Sequence, residues 1–229
     1  MELTLYSALA LSAPFNTLVR HWQDAHPETQ LTFRWHPSTI IEKELNAGEQ
    51  ADVVIATVET LDRLIESGLA AKDDRIEVVD SPIGIAVLAG TPHPDISTRE
   101  RLINTLLAAR SVSWSEAGAS GVWFSHLLKQ FNIDAELRAR GTVIPAGFTA
   151  EQLVNGHADL AVQQLSELLM VSGIEIVGAL PPETQQPVSI SASVLNKTTH
   201  SEPAREFLAW LKTPQVTDIF SQFGLVRRD

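Results

Sequence analysis

Ser113-Trp114-Ser115-Glu116-Ala117-Gly118-Ala119-Ser120-Gly121-Val122-Trp123-Phe124-Ser125-His126-Leu127-Leu128-Lys129-Gln130 reads as three pieces in succession. A short strand, Ser111 to Trp114, gives way to a loop of Ser, Ala and Gly, and an apolar helix begins at about Gly121. Ser120 is a good N-cap, and Gly121 allows a ligand close to the backbone. A helix start offers unpaired N–H groups and the positive end of the dipole, which suits an anion. Ser120 as a plain helix cap is the simpler reading. Two other strand-to-helix turns rich in hydroxyls set against it.

The first of these turns follows Leu3-Thr4-Leu5-Tyr6-Ser7-Ala8, which alternates as a strand does, and leads into a helix from about Phe15 to Asp24. Phe15, Leu18, Val19 and Trp22 fall on one helical face, with Ser12, Ala13 and Pro14 as the start signal. The second follows the strand Leu31 to Trp35. There His36-Pro37-Ser38-Thr39 opens a helix that Gly48 stops. His36 lies beside this turn. Arg34 should point opposite to Trp35 and face solvent.

Ala51-Asp52-Val53-Val54-Ile55-Ala56 is a near-continuous apolar run that fits a buried parallel strand, with Thr57 at its carboxyl end. Ser81 to Leu88 is another strand. Strand and helix then alternate: helix 97–109, strand 111–114, helix 121–131, strand 141–144, helix 149–155, strand 158–162 ending in Gln163-Gln164, helix 166–171 and strand 174–177. Pro181, Pro182 and Pro187 punctuate a polar link before the strand Val188 to Leu195 and two terminal helices. Phe207, Leu208 and Leu211 fall at helical spacing as core residues.

The bulk composition narrows the partners. The chain has 229 residues, 17 basic and 28 acidic, for a net charge of −11. Duplex nucleic acid and anionic membranes are excluded as partners on that balance, while a small anion held by local dipoles is not. Cysteine is absent, so there are no disulfides and no thiol chemistry. No apolar run approaches the ~18 residues of a membrane span, and no signal peptide precedes the first strand. The expected location is periplasmic if a leader has been trimmed, and otherwise cytoplasmic.

The chain as a whole resembles the type II periplasmic-binding proteins, in particular the molybdate-binding branch of ABC-transporter solute receptors. The likeness is carried by Leu3 to Ala8, Ser38-Thr39 through Asn46-Ala47-Gly48, Ala51 to Ala56, Ser120-Gly121-Val122, Phe207-Leu208 through Lys212-Thr213-Pro214-Gln215, and Phe220 to Leu225. It implies an α/β fold of two lobes, each a mainly parallel sheet flanked by helices. Lobe 1 would hold residues 1–80 and 190–229, and lobe 2 residues 81–189. Ser81 to Leu88 and Val188 to Leu195 would be the crossing hinge strands. The resemblance also implies a monomer that traps a small anion between its lobes, with an ABC permease as partner and no cofactor or metal.

By position, the family's ligand contacts fall on Ser7 and Ala8 of the first turn, on Ser38, Thr39, Ser120 and Gly121, on Gly147 in the Pro145-Ala146-Gly147 turn, and on Gln163. Two positions depart from the molybdate receptors. Their first-turn serine is Ala10 here, and their pocket-closing tyrosine is Gln163. The loss of two hydroxyl donors argues for a carboxylate over molybdate. Aconitate isomerase resembles the same receptors, so an enzyme interconverting cis and trans forms of a small tricarboxylate is the alternative function. Such an isomerase needs a base beside the bound carbon. His36 and Glu116 are the titratable residues placed nearest the anion-binding turns. A regulator's effector domain is a third reading, without a DNA-binding segment to support it.

Overall fold

The computed structural model describes residues 1–228. Along the chain, β1 (Glu2–Ala8), α1 (Ser12–Ala25), β2 (Gln30–His36), α2 (Ser38–Asn46), β3 (Val53–Thr57), α3 (Val58–Glu66) and β4 (Ile76–Ser81) come first. The middle stretch holds β5 (Ile83–Leu88), α4 (Arg99–Ala108), β6 (Val112–Ser115), α5 (Ala119–Gln130), α6 (Asp134–Arg140), β7 (Thr142–Ile144), α7 (Glu151–Val154), β8 (Leu160–Gln164), α8 (Leu165–Leu168) and β9 (Ile174–Ala179). The last part is β10 (Val188–Val194), α9 (Ser201–Leu211), α10 (Pro214–Gln222) and β11 (Val226–Arg227). These elements form two units, Met1–Ser81 with Ser189–Asp229, and Pro82–Val188. The fold is mixed α/β, one helix-flanked sheet to a unit.

The first unit carries six strands in the order β11-β4-β10-β3-β1-β2. Strands β2, β1 and β3 run parallel, whereas β10 is antiparallel to β3 and β11 to β4. Alternation along β1 sends Leu3, Leu5 and Ser7 to one face and Tyr6 to the other. On the first face Phe15 of α1 meets Phe33, Trp35, Phe207 and Phe220 at ring separations of 4.7–6.3 Å. Phe207, Leu208 and Leu211 are buried there as core residues. On the second face Tyr6, Val54 and Ala56 pack with Ile41, Leu45, Leu61 and Leu64 of α2 and α3.

Asp52 clamps the amino-terminal ends of these strands. Its buried carboxylate accepts from the Thr4 N–H at 2.8 Å and the Thr198 hydroxyl at 2.5 Å, and lies 3.2 Å from His200 Nδ1. Without these partners a buried carboxylate would be costly. The Ala-Asp pair of the apolar strand is therefore structural.

The second unit's sheet has the order β7-β6-β8-β5-β9, with β7, β6 and β8 parallel and β5 antiparallel to both β8 and β9. Trp114 of β6 packs edge-on against Phe124 of α5 at 5.6 Å, inside a core built with Leu102, Leu106, Leu127, Leu128 and Leu137. Burying side chains of this size contributes roughly 1.5–3 kcal/mol each. The opposite face is smaller, with Ala86, Ala150 and Ala161 under Leu153 of α7 and Leu168 of α8.

Three elements differ from the expectation. The strand expected over 81–88 breaks at Pro82, which ends β4 and lets β5 begin at Ile83. Strand β4 itself was hidden by its acids, Glu77 and Asp80. Both are partnered, by the hydroxyls of Ser191 at 2.7 Å and Ser189 at 2.6 Å, and by Arg228. Helix α6 was not expected. Asp134 and Glu136 in its first turn and Arg138 and Arg140 in its last complement the dipole. Arg140 also donates to the carbonyls of Leu107 at 2.7 Å and Ala109.

The tightest packing lies where α5 begins. A Cβ added at Gly121 would stand 1.7 Å from the Ser115 carbonyl oxygen, and one at Gly118 would stand 2.4 Å from the Ser115 Oγ. Gly121→Ala should therefore lower stability by about 2 kcal/mol or more, because the obstacle is backbone that cannot turn aside. Urea unfolding checks this, and a variant as stable as the wild type would contradict it.

Candidate anion-binding site

The start of α5 is built differently from the sequence expectation. Gly118, not Ser120, is the N-cap residue, and no side chain caps the helix. Ser120 lies inside the first turn and is 1% exposed. Gly121 is required by the chain's own packing. It makes room for the chain's own Ser115 carbonyl. The first-turn N–H groups of α5 lack intrahelical acceptors, as at every helix start. Beside them Ser115, 2% exposed, has a buried Oγ with no hydrogen-bond partner, and so does Ser113 two residues earlier on the same face of β6. Buried hydroxyls are ordinarily paired, so unpartnered ones at a helix start mark a place for a ligand. Glu116 is exposed, and its backbone N–H donates to Ile144 at 2.9 Å.

Gln163 also takes a different task from the expected one. It is 3% exposed, and its Oε1 accepts from the Thr149 N–H at 2.9 Å and the Thr149 hydroxyl at 3.0 Å. Its Nε2 donates to the Gly147 carbonyl at 2.9 Å. The donor and acceptor expected to hold a ligand instead hold the 147–149 turn. Gly147 has φ +101°, a conformation that a side chain would strain. The same turn reaches the α5 loop, because Ala117 N–H donates to Pro145 at 3.1 Å.

In the first unit, Ser38 is the first residue of α2, which no side chain caps. The Ser38 hydroxyl accepts from the Thr57 N–H at 3.0 Å, tying the start of α3 to that of α2. Thr39 next to it is exposed. Ser7 and Ala8 are buried, and the Ser7 hydroxyl has only a long 3.4 Å approach to the Ala8 carbonyl. Ala10 is buried in the turn that follows.

His36 is drawn toward a polar cluster rather than left alone. Its Nε2 lies 3.9 Å from Glu44 and its ring 6.1 Å from that of Tyr6. The Tyr6 hydroxyl donates to Glu44 at 2.7 Å and accepts from Arg34 at 3.0 Å. Arg34 does point away from Trp35, yet it is engaged, over the Tyr6 ring and with Glu49 at 2.9 Å. Burial, followed by the bond to Glu44, pushes the Tyr6 phenol above its ordinary range.

Sequence reading missed Glu167. This residue is 6% exposed in the short α8, directly after β8. Burial raises its carboxyl to about 7, against the opposing effect of the side-chain amides of Gln163 and Gln164 and the Gln164 backbone N–H. Ser166 Oγ and Gln164 Oε1, its chain neighbours, are buried without partners. Its signal in the sequence is faint: an acid three residues after the end of an apolar strand, which resembles a helix-capping glutamate. Among the described residues no group of His, Cys, Asp and Glu is arranged to hold a metal ion. A cavity of about 760 Å³ lies at the opposite end of the second unit's sheet, lined by Leu88 and Leu160 among others but not by Ser115, Gln163 or Glu167.

The Glu167 carboxyl is raised in the folded chain, so it stabilises the fold when neutral and penalises it once ionised. Stability is lost as the pH rises from the ordinary value of 4.5 toward 7, and the loss is complete above that. Glu167→Gln should gain on the wild type across that window by roughly 3 kcal/mol. Denaturant unfolding at pH 5 and pH 8 measures the difference, and equal offsets at the two values would contradict it.

Three similarities bear on this geometry. An aconitate isomerase from Pseudomonas sp. is 38% identical over 186 residues, which is 81% of this chain and 71% of that one. The periplasmic molybdate-binding protein of Azotobacter vinelandii superposes with a TM-score of 0.83 at 17% identity, covering 99% of this chain and all of that one. The sulfate-binding protein SubI of Mycobacterium tuberculosis does so with a TM-score of 0.79 at 16% identity, covering 100% and 88%. Residues 3–226 match the model of the bacterial extracellular solute-binding proteins, and the chain belongs to that family.

Proposed function

We propose that this chain binds a small carboxylate-bearing anion, using the first-turn N–H groups of α5 and the hydroxyls of Ser115 and Ser120. The observation that carries this reading is the unpartnered, buried Ser115 hydroxyl beside a 12-residue helix with no side-chain cap. Such a site is all neutral dipole and suits an anion. Ser38 and Thr39 at the start of α2 offer the same chemistry in the first unit, where Ser7 and Ala8 add backbone, and Gly147 adds backbone in the second. A carboxylate is favoured over molybdate because Ala10 lacks a hydroxyl and Gln163 has spent its amide on the 147–149 turn. In this reading the protein is a monomeric receptor that works outside the cytoplasmic membrane and delivers its ligand to an ABC-type permease. Among the described residues no helix is long and apolar enough to cross a membrane.

The second reading is an aconitate-isomerase-type enzyme, favoured by the 38% identity to a protein of that name. Isomerisation needs a proton moved at the bound carbon, and His36 and Glu116 remain the candidates for it. General acid–base catalysis is typically worth ~10²–10⁴-fold, so loss of the responsible group is plain in turnover.

Calorimetric titration with cis-aconitate, trans-aconitate, citrate, molybdate and sulfate tests the first reading. A carboxylate should bind best, and Ser115→Ala and Ser120→Ala should each weaken it by about 1–2 kcal/mol. Unchanged affinity in both variants, or sub-micromolar molybdate binding, contradicts it. Incubation with cis-aconitate in deuterated water, followed by proton NMR, separates the two readings. Binding without conversion or deuterium uptake is the receptor's result. Conversion that collapses in His36→Ala or Glu116→Gln, with binding retained, is the enzyme's.

A further inference from the structure

The cavity at the far end of the second unit's sheet has the size and lining of a ligand site. Its volume of about 760 Å³ falls within the ~300–1,000 Å³ usual for small molecules. Val87 and Leu88 at the end of β5, Pro92 and Pro94 in the turn after it, Leu153 of α7 and Leu160 at the start of β8 supply apolar wall. Leu88 is 40% exposed there, although the rest of β5 is buried. On the helix side, α4 turns Arg101, Asn104, Thr105 and Ala108 toward the cavity, while Leu102 and Leu106 go into the core. Ala108 leaves open a space that a larger side chain would close.

The walls are fixed before any ligand arrives. The Thr105 hydroxyl donates to the Asp95 carbonyl at 2.9 Å, and Arg101 pairs with the Asp95 carboxylate. His93 and the Gly90 N–H engage Glu175 at 2.9 and 3.1 Å, which holds the other end of the turn. Little ordering is then left to be done on binding.

Charge decides what the cavity takes. Its charged lining groups form two closed pairs, Arg101 with Asp95, and Arg110 with Asp159 at 3.0 Å. An anion that reaches either arginine meets its aspartate, and a cation that reaches either aspartate meets its arginine. The hydroxyls of Thr91 and Thr105 are spent on the Leu88 and Asp95 carbonyls. Among the described lining residues this leaves the Asn104 amide without a partner, with both a donor and an acceptor to offer.

We propose that this cavity is a second binding site, separate from the start of α5, for an uncharged, mainly apolar small molecule with one hydrogen-bonding group for Asn104. The proposal does not rest on the reading of α5 as an anion site.

N-phenylnaphthylamine is a suitable probe, being uncharged and apolar with one N–H, and it fluoresces on leaving water. Titrated into the full chain, it should saturate a single site. Anilinonaphthalene sulfonate, its anionic counterpart, should bind about tenfold or more weakly. Ala108→Phe, which fills the space, and Leu88→Asp, which sets an unpaired carboxylate in the wall, should each weaken the neutral probe by about tenfold or more. In amide NMR of the wild type, the probe should shift Leu88, Asn104 and Ala108 and leave Ser115 and Ala119 in place. The proposal is overturned if the neutral probe does not saturate, if the sulfonate binds as tightly, or if both variants keep wild-type affinity. It is also overturned if the shifts gather at the start of α5, a comparison that needs no variant to fold.

Discussion

The first turn of α5 presses on the Ser115 carbonyl at a separation that leaves no room for a Cβ at position 121. That approach brings the helix dipole, its orphan N–H groups and the Ser115 hydroxyl together. It also explains why Gly118, with no side chain to offer, is the N-cap residue. A Ser or Asp there would cap the helix more strongly but would collide with Ser115 Oγ, 2.4 Å from where its Cβ would sit. The donors that a capping side chain would have consumed stay available.

The charged groups are used elsewhere. Asp52 is buried and clamps strand ends through Thr4, Thr198 and His200. Arg63 with Glu42, Arg205 with Asp74 and Arg110 with Asp159 are ion pairs with exposed arginines. Solvent screens pairs of that kind, and they add little to stability. A net charge of −11 spread over such a surface says little about whether the start of α5 suits an anion. Local dipoles at a helix start act over a turn or so, within the reach of a bound ion, while distant surface acids are screened.

Much of the architecture is readable in period alone. The alternation of apolar strand and amphipathic helix from Leu3 to Val177 follows from spacing, and Ser120-Gly121 marks the correct helix start to within two residues. Three things are not readable there. Glu77 and Asp80 make β4 look like a polar loop, because their partners Ser189, Ser191 and Arg228 lie more than a hundred residues away. Gln163 looks like a ligand donor until Thr149 and Gly147 are seen to occupy its amide. Glu167 looks like any helix-capping acid, since spacing does not reveal that it is buried away from cations. In each case the deciding quantity is a long-range contact or a burial, neither of which has a local period.

An anion held by neutral donors is held by several of them or weakly. Each neutral hydrogen bond contributes a net ~1 kcal/mol and a helix start typically 0.3–1 kcal/mol, whereas micromolar affinity needs about 8 kcal/mol. The difference is closed by donors fixed in place before the ligand arrives, so that little ordering is left to be done on binding. What the Gln163 amide does in the fold is fix the 147–149 turn. A tyrosine at this position would bring one hydroxyl toward a ligand and would lose three hydrogen bonds that fix the 147–149 turn. The turn would then hold the α5 loop less firmly, through the same contacts at Ile144 and Pro145. A tyrosine placed at position 163 alone would therefore disturb the surrounding backbone, which is held together by the residue being replaced.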